Sequence, residues 1–201
     1  MTGKKKIYIS LPIAFQEDTV YERNEEAKQY LKKWYKKYDF ISPIDHNHID
    51  DEALGAELAV RFPEERRKRP FLYDETFEVL DQLKGRYQLL LLTNGAPELQ
   101  NTKLEITPEI APYFDEIIIS GAFGKGKPDA SIFRHALEKL NVSPGEALMI
   151  GDNLMTDILG SNRAGIRNVW VNREDKPKKE VEPTYEIKDL KELLPLLKSL
   201  E

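Results

Sequence analysis

The sequence contains no cysteine and only three histidines among its 201 residues. Without cysteine the chain can form neither disulfides nor thiolate metal sites. It also has no apolar run as long as a membrane-spanning helix, and its first residues lack the apolar segment of a signal peptide. We therefore expect a cytoplasmic protein with no membrane partner.

The chain has no excess of basic residues either. Its 30 lysines and arginines are outnumbered by 35 aspartates and glutamates, which gives a net charge of -5 and a pI of about 5.4. A general nucleic-acid-binding protein needs a basic face, so we expect no nucleic-acid partner. Hydrophobic residues make up 40% of the chain and charged residues 32%, which is enough for a core beneath a charged surface.

Short apolar runs alternate with amphipathic stretches along the chain. The runs predict buried strands at residues 7–11, 39–44, 87–93, 115–120, 147–150 and 169–171. The amphipathic stretches predict helices at residues 22–37, 71–84, 97–104, 130–141 and 187–200. This order predicts a single α/β domain over residues 1–201, with a three-layer, doubly wound, Rossmann-like and mainly parallel sheet.

Two aspartates follow one of these predicted strands. Gly151 ends the apolar run at residues 147–150, Asp152 stands at the carboxyl end of the strand, and Asp157 falls in the first turn of the next helix. Ligands of open α/β sheets bind outside the carboxyl ends of strands, and two carboxylates there suit Mg²⁺. The alternative is that Asp152 caps the helix and Asp157 favours its N-terminus.

A second polar group follows the run of four leucines at residues 89–92. Thr93, Asn94 and Gly95 come directly after it and before a predicted helix. A hydroxyl and backbone N–H groups in this position could hold a phosphate. An ordinary strand-to-helix turn uses the same residue types, so both interpretations stay open.

A third candidate is Lys127, at the end of a glycine-rich loop over residues 121–127. It lies between Gly126 and Pro128, directly before a predicted helix. This rigid setting could offer a fixed cation to a phosphate or a carboxylate. The alternative is a solvated lysine.

The loop at residues 45–51 contains His46 and His48 together with three aspartates. Such a group could bind a transition metal. We favour the alternative, a polar loop that leads into the N-cap of the next helix.

Together, three of these stretches resemble the second, third and fourth motifs of the haloacid dehalogenase-like (HAD) phosphohydrolase superfamily. The stretches are Thr93 after its strand, Lys127 in Gly-Lys-Pro-Asp, and Asp152 with Asp157. The likeness covers about residues 53–201, in matching order and spacing. It implies a HAD-like form of the predicted sheet.

The resemblance also implies a role for each matching residue. Thr93 and the N–H of Asn94 would hold the phosphoryl oxygens, and Lys127 would neutralise the phosphate and the nucleophile. Asp152 would ligate Mg²⁺, and Asp157 would support that site. The implied partner is a small phosphorylated molecule or phosphate.

The first motif of the family, Asp-x-Asp at the end of the first strand, is missing. Ser10 occupies the position of the nucleophile and Pro12 that of the acid/base. A serine hydroxyl needs an adjacent base, and proline cannot transfer a proton. The loss of one carboxylate also predicts weak Mg²⁺ binding.

The N-terminal segment, about residues 3–48, resembles nucleoside 2-deoxyribosyltransferase-like proteins. The likeness rests on residues 6–13, on the predicted helix at residues 21–37 and on residues 40–43. The catalytic glutamate of that family has no counterpart here, so its chemistry is not implied.

The two resemblances predict a chimera of engineered origin. It would consist of the segment at residues 3–48, a helical linker or cap remnant at residues 49–70, and a HAD-like core at residues 71–201. The preferred hypothesis is a recombined HAD-like protein with a phosphate and magnesium cleft but no native catalysis. One alternative is an active magnesium-dependent phosphohydrolase of a small phosphoester, and another is a nucleoside- or nucleotide-binding module. Substrate, position of the strand at residues 39–44, and oligomeric state (monomer or homodimer) stay open.

Overall fold

The structure is a computed structural model, and it describes residues 5–6 and 72–201. The chain divides into two compact units, one of Met1–Ile13 with Leu72–Glu201 and one of Ala14–Phe71. All described residues belong to the first unit. The predicted boundaries at residues 48 and 70 lie outside the described residues, so the predicted domain division stays a prediction.

The strands of the described residues pair in parallel throughout. They are β1 Lys5–Lys6, β2 Tyr87–Gln88, β3 Leu90–Thr93, β4 Glu116–Ile119, β5 Leu148–Gly151, β6 Arg167–Val171 and β7 Tyr185–Ile187. β1 pairs with β2, β3 pairs with β4, and β6 lies between β5 and β7. The predicted α/β fold with a parallel, Rossmann-like sheet is confirmed.

Helices connect β3 to β4, β4 to β5 and β5 to β6, as is usual between parallel strands, whereas the described segment between β6 and β7 contains no helix. They are α1 Thr76–Leu83, α2 Pro97–Ile106, α3 Ser120–Phe123, α4 Ala130–Leu140, α5 Leu159–Arg163 and α6 Leu193–Ser199. A π-helical turn, Leu154–Ile158, leads into α5. Short 3₁₀ turns are found at Ala111–Tyr113, Pro144–Glu146 and Leu190–Glu192.

The leucines of the predicted strand at residues 87–93 are buried on both of its faces. Leu89 and Leu91 pack in the cluster that contains α1 and α6 side chains, whereas Leu90 and Leu92 pack in the cluster that contains α4 side chains. Alternate residues of a strand point to opposite faces, so a continuous apolar run is buried only when both faces are covered. The layered arrangement follows from this pattern.

The predicted closing helix at residues 187–200 is wrong in its first part. Tyr185–Ile187 forms β7 beside β6, and the Asn172 N–H donates to the Ile187 carbonyl at 2.7 Å. Asp189 then caps the turn that leads into α6. A strand of three residues is too short to show the alternation of apolar and polar residues that identifies a strand in a sequence. The leucines that follow it have helical spacing, so the predicted helix began too early.

The predicted glycine-rich loop is also partly wrong. Its beginning is helical, because α3 extends over Ser120–Phe123 and is followed by Gly124, which has a φ of 82°.

Among the described residues, no helix combines the length and the apolar character needed to span a bilayer.

Candidate functional site

The predicted phosphate and metal residues lie at the carboxyl ends of parallel strands. Thr93 is the last residue of β3, Asp152 follows β5, and Lys127 lies on the loop between α3 and α4. The described strands form a β1–β2 pair, a β3–β4 pair and a β5–β6–β7 group, and the carboxyl ends of parallel strands are where open α/β sheets bind ligands.

Lys127 makes the central contact of this site. Its Nζ lies 2.7 Å from Oδ1 of Asp157 and 3.0 Å from the carbonyl oxygen of Leu92. The exposed fractions of the lysine and aspartate side chains are 9% and 5%. Charges buried to this degree need partners, so the ion pair holds the ammonium group near the end of β3. The solvated alternative for Lys127 is therefore wrong.

The carboxylate of Asp157 is held by its own turn as well. Its Oδ2 accepts from the N–H of Asn153 at 3.1 Å, and Oδ1 lies 3.4 Å from the hydroxyl of Thr156. Asn153 also caps this turn, because its Oδ1 accepts from the N–H groups of Met155 and Thr156. The alternative in which Asp152 caps the helix is wrong, since the next residue does so.

Gly151 leaves space for this carboxylate. A Cβ atom on Gly151 would lie 2.4 Å from the Cβ and 2.5 Å from Oδ2 of Asp157. No side chain fits there without displacing the aspartate. The glycine that ends the apolar run therefore serves a close approach within the site, a requirement that the sequence pattern did not indicate.

Asp152 differs from Asp157 in having no ion pair within residues 72–201. Its backbone carbonyl accepts from Nε1 of Trp170 at 2.9 Å. The residue keeps exposed surface, yet desolvation by the surrounding protein raises the pKa of its carboxyl group, the charge of Asp157 raises it further, and Lys127 opposes both effects. An unpaired carboxylate beside a second one is an unfavourable arrangement that a cation would relieve.

The donor chemistry of these two aspartates fits Mg²⁺, which prefers carboxylate oxygens and retains several waters. Asp152 could bind the ion directly, whereas Asp157 is already engaged by Lys127 and could act as a support. The described residues contain no cluster of three or more histidine, aspartate or glutamate side chains arranged around a metal position.

Thr93 is linked to a residue that sequence reasoning missed. Its hydroxyl donates to Oε1 of Gln100 at 3.2 Å, and Nε2 of Gln100 donates to the carbonyl of Asn94 at 2.9 Å. Gln100 is buried on α2. The only available signal was a polar residue on the inner side of a helix, and its partner could not be read from spacing.

The backbone after Thr93 offers fewer donors than expected. The N–H of Gly95 donates to the hydroxyl of Ser120 at 3.0 Å. That group is therefore engaged inside the protein. The predicted phosphate contact of this turn depends on the N–H of Asn94 and on a Thr93 hydroxyl that would have to turn away from Gln100 to donate to a phosphate.

The side chain of Asn94 joins this turn to the lysine loop. Its Nδ2 donates to the carbonyl of Lys127 at 2.8 Å, and its Oδ1 accepts from the N–H of Lys127 at 2.9 Å. The structure thus connects the Thr93 turn, Lys127 and Asp157. Ser10, Pro12, His46 and His48 lie outside the described residues.

Comparison with known proteins decides the family. A family model of haloacid dehalogenase-like hydrolases matches residues 6–165. The chain belongs to this family. The matched span includes positions 10 and 12, and the comparisons do not support a chimeric or engineered origin. The resemblance of the N-terminal segment to deoxyribosyltransferases stays a prediction.

Relatives of this HAD-family chain include named phosphatases. It is 43% identical to a phosphoserine phosphatase of Thermus thermophilus over 150 residues, which are 71% of this chain and 59% of the relative. It is 35% identical to an N-acylneuraminate-9-phosphatase of Mus musculus over 155 residues, which are 76% of this chain and 62% of the relative. The chain therefore spans about 60% of the length of these relatives.

Solved structures show the same fold. The HAD-hydrolase YfnB of Bacillus subtilis, solved with bound magnesium, aligns with a TM-score of 0.72 at 23% identity, over 96% of this chain and 98% of that one. At this identity the likeness concerns the fold, and it confirms the HAD-like architecture expected from the sequence.

Proposed function

We propose that this HAD-family chain is a magnesium-dependent hydrolase of a small phosphoester. The observation that carries the proposal is the buried Lys127 ammonium, held by Asp157 near the end of the strand that presents Thr93. A fixed cation near the end of a strand that carries a hydroxyl group is suited to a phosphoryl group. The relatives named as phosphatases support the same class of substrate.

In this proposal the described residues bind and orient the phosphoryl group. Thr93 and the N–H of Asn94 hold phosphoryl oxygens, and Lys127 neutralises part of their charge. Binding of this kind lowers the barrier by stabilising charge in the transition state, which is the main requirement of phosphoryl transfer.

Asp152 would hold Mg²⁺ with the support of Asp157. The bound ion would neutralise further phosphoryl charge and polarise the ester. Desolvation and the charge of Asp157 raise the pKa of the Asp152 carboxyl group, and a bound cation would relieve both effects.

The overall reaction joins the oxygen of water to phosphorus and breaks the ester P–O bond, and the leaving alcohol departs with a proton. Ser10 and Pro12 replace the carboxylates that the family resemblance implies for these steps. Loss of general acid-base catalysis costs on the order of 10²–10⁴ in rate. The presence of Ser10 and Pro12 in place of two carboxylates favours a second candidate function, the binding of a phosphorylated ligand without turnover.

Release of p-nitrophenol from p-nitrophenyl phosphate in the presence of Mg²⁺ tests the proposal. We expect turnover by the unmodified chain that is lost in Asp152→Asn and retained in Asp81→Asn, a matched change of an exposed α1 aspartate that accepts from Tyr113. Binding of inorganic phosphate without turnover would favour the second candidate. Absence of both would reject the proposal.

Restoration of the missing carboxylates separates the two candidates further. The double variant Ser10→Asp/Pro12→Asp should increase turnover strongly if the phosphate cleft retains family geometry. The single variants serve as controls, because each restores only the nucleophile or only the acid/base that the family resemblance implies.

A further inference from the structure

The side chain of Asn94 and the main chain of Lys127 form a closed pair of hydrogen bonds. Both polar groups of the amide are used, Nδ2 as donor at 2.8 Å and Oδ1 as acceptor at 2.9 Å. The two residues are 33 positions apart in the chain. This contact fixes the lysine loop against the turn that follows β3.

Gly126 shows how closely the two segments approach. A Cβ atom on Gly126 would lie 2.8 Å from Oδ1 of Asn94 and 3.2 Å from the hydroxyl of Ser120. The loop before the lysine can therefore reach the asparagine only without a side chain at this position.

A lysine side chain has four rotatable bonds, so contacts at its end do not by themselves fix where its main chain lies. The main chain of Lys127 is held by Asn94, and its Nζ is held by Asp157 and the carbonyl of Leu92. The position of the ammonium group therefore depends on contacts at the main chain of Lys127 and on contacts at Nζ. Loss of the main-chain contact should let the ammonium leave its position beside Asp157 and the Leu92 carbonyl.

We propose that the side chain of Asn94 is a positioning residue that acts through Lys127. This role is separate from that of its N–H group, which the family resemblance assigns to phosphate. The phosphate experiment below rests on the proposed function, whereas the spectroscopic experiment does not.

The spectroscopic experiment observes the ¹⁵N-labelled ammonium groups of the chain by NMR. A buried, paired ammonium exchanges its protons with water slowly and is therefore visible. We expect a signal that is absent in Lys127→Met, and we expect Asn94→Ala to lose or strongly broaden it. Asn94→Asp, which keeps the acceptor but not the donor, should have an intermediate effect.

Asn172 offers a matched control. Its amide forms the same pair of hydrogen bonds with the main chain of Lys176, at 2.9 and 2.8 Å. Asn172→Ala should lose these two hydrogen bonds and a third, which Nδ2 donates to Oε1 of Glu186 at 2.8 Å, but leave the Lys127 signal unchanged. An unchanged signal in Asn94→Ala, or equal losses in both variants, would overturn the proposal.

The phosphate experiment measures the affinity for inorganic phosphate with Mg²⁺ by calorimetry. Loss of a hydrogen-bonded support of about 1.4 kcal/mol corresponds to a tenfold change, so we expect Asn94→Ala to weaken binding about tenfold. In the Lys127→Met background the same substitution should change the affinity less than about twofold, because residues that act through one another are not additive. Additive losses would overturn the positioning role. If the unmodified chain binds no phosphate while the NMR result holds, the proposed function fails and the positioning role stands.

Discussion

Lys127 Nζ and Asp157 Oδ1 lie 2.7 Å apart, and neither side chain exposes more than 9% of its surface. The two residues come from different parts of the chain, one from a loop and the other from the turn after β5. Their ion pair connects the phosphate candidates at the end of β3 with the metal candidates at the end of β5. The site therefore depends on a buried charge pair as well as on strand ends.

Removal of one partner from this pair should destabilise the protein. Lys127→Met leaves the buried carboxylate of Asp157 without its cation, and such changes typically cost about 3–5 kcal/mol in the free energy of unfolding. Urea denaturation measures the loss. The exposed pair Lys125–Asp129, at 3.6 Å, is the control, and Lys125→Ala should cost less than about 1 kcal/mol. Equal costs would show that burial does not strengthen the Lys127 pair.

The carboxyl group of Asp152 predicts a specific dependence on pH. Its folded pKa is raised above the ordinary 3.8 by desolvation and by Asp157, so ionisation of this group disfavours the folded state. At neutral pH and without Mg²⁺, Asp152→Asn should therefore be more stable than the unmodified chain. The advantage should shrink as the pH falls through the raised pKa toward 3.8. Denaturation at several pH values checks the trend, and an advantage that grows on acidification contradicts it.

Addition of Mg²⁺ should make the unmodified chain more stable than Asp152→Asn. Mg²⁺ competes with the proton for the Asp152 carboxylate. The affinity of the protein for Mg²⁺ should therefore decline as the pH falls through the pKa of Asp152, which lies above the ordinary 3.8. Thermal unfolding with and without Mg²⁺ measures the stabilisation that binding gives to the folded state. We expect it in the unmodified chain and not in Asp152→Asn. Equal stabilisation of both would place the ion elsewhere.

Gly151→Ala tests the close approach at the end of β5. The added Cβ atom would meet Asp157 at 2.4 Å, and overpacking of this kind costs about 1–3 kcal/mol in the free energy of unfolding. It should also weaken phosphate binding, because the displaced carboxylate no longer holds Lys127. Gly145→Ala is the matched control, since its Cβ would meet no atom within 4 Å. Similar losses in both variants would indicate a general effect of removing glycine.

Arg173 influences the pKa of Tyr73, against whose ring it lies. Its guanidinium lies 3.7 Å from the ring centre of Tyr73 and forms ion pairs with buried Glu75 and with Asp189. Burial raises the pKa of Tyr73, and Arg173 lowers it, so Arg173→Ala should raise the pKa of Tyr73 further. Absorbance titration checks this, with Tyr73→Phe to identify the signal. A lower pKa in the variant would contradict the assignment.

The same substitution should also reduce stability by about 1–3 kcal/mol, because it leaves the Glu75 carboxylate buried without its donor. Arg86→Ala is the matched control. The guanidinium of Arg86 also lies over a tyrosine ring, that of Tyr87, and forms an ion pair with Glu201 at 3.4 Å. In this pair the side chains of both Arg86 and Glu201 are exposed. We expect a loss below about 1 kcal/mol there.

Much of the fold was accessible from local pattern. The leucines at residues 89–92 predicted a strand buried on both faces, and the alternation of strands and helices predicted parallel pairing. β7 was not predicted, because three residues carry too little periodicity and are followed by leucines with helical spacing. Tertiary pairing with β6 decided that segment.

The candidate site shows the same division. The sequence by itself determined that Thr93, Asp152 and Asp157 would lie at or just after the carboxyl ends of strands, because strand ends and turn residues are local features. Lys127 joined them only through the resemblance to the family. Only the tertiary structure decided that Asn94 holds the main chain of Lys127, that Gln100 engages Thr93, and that Asn153 rather than Asp152 caps its turn. Two of these three contacts join separate segments of the chain, and all three depend on side-chain direction. Hydrogen bonds of this kind are set by folded geometry, which residue spacing does not encode.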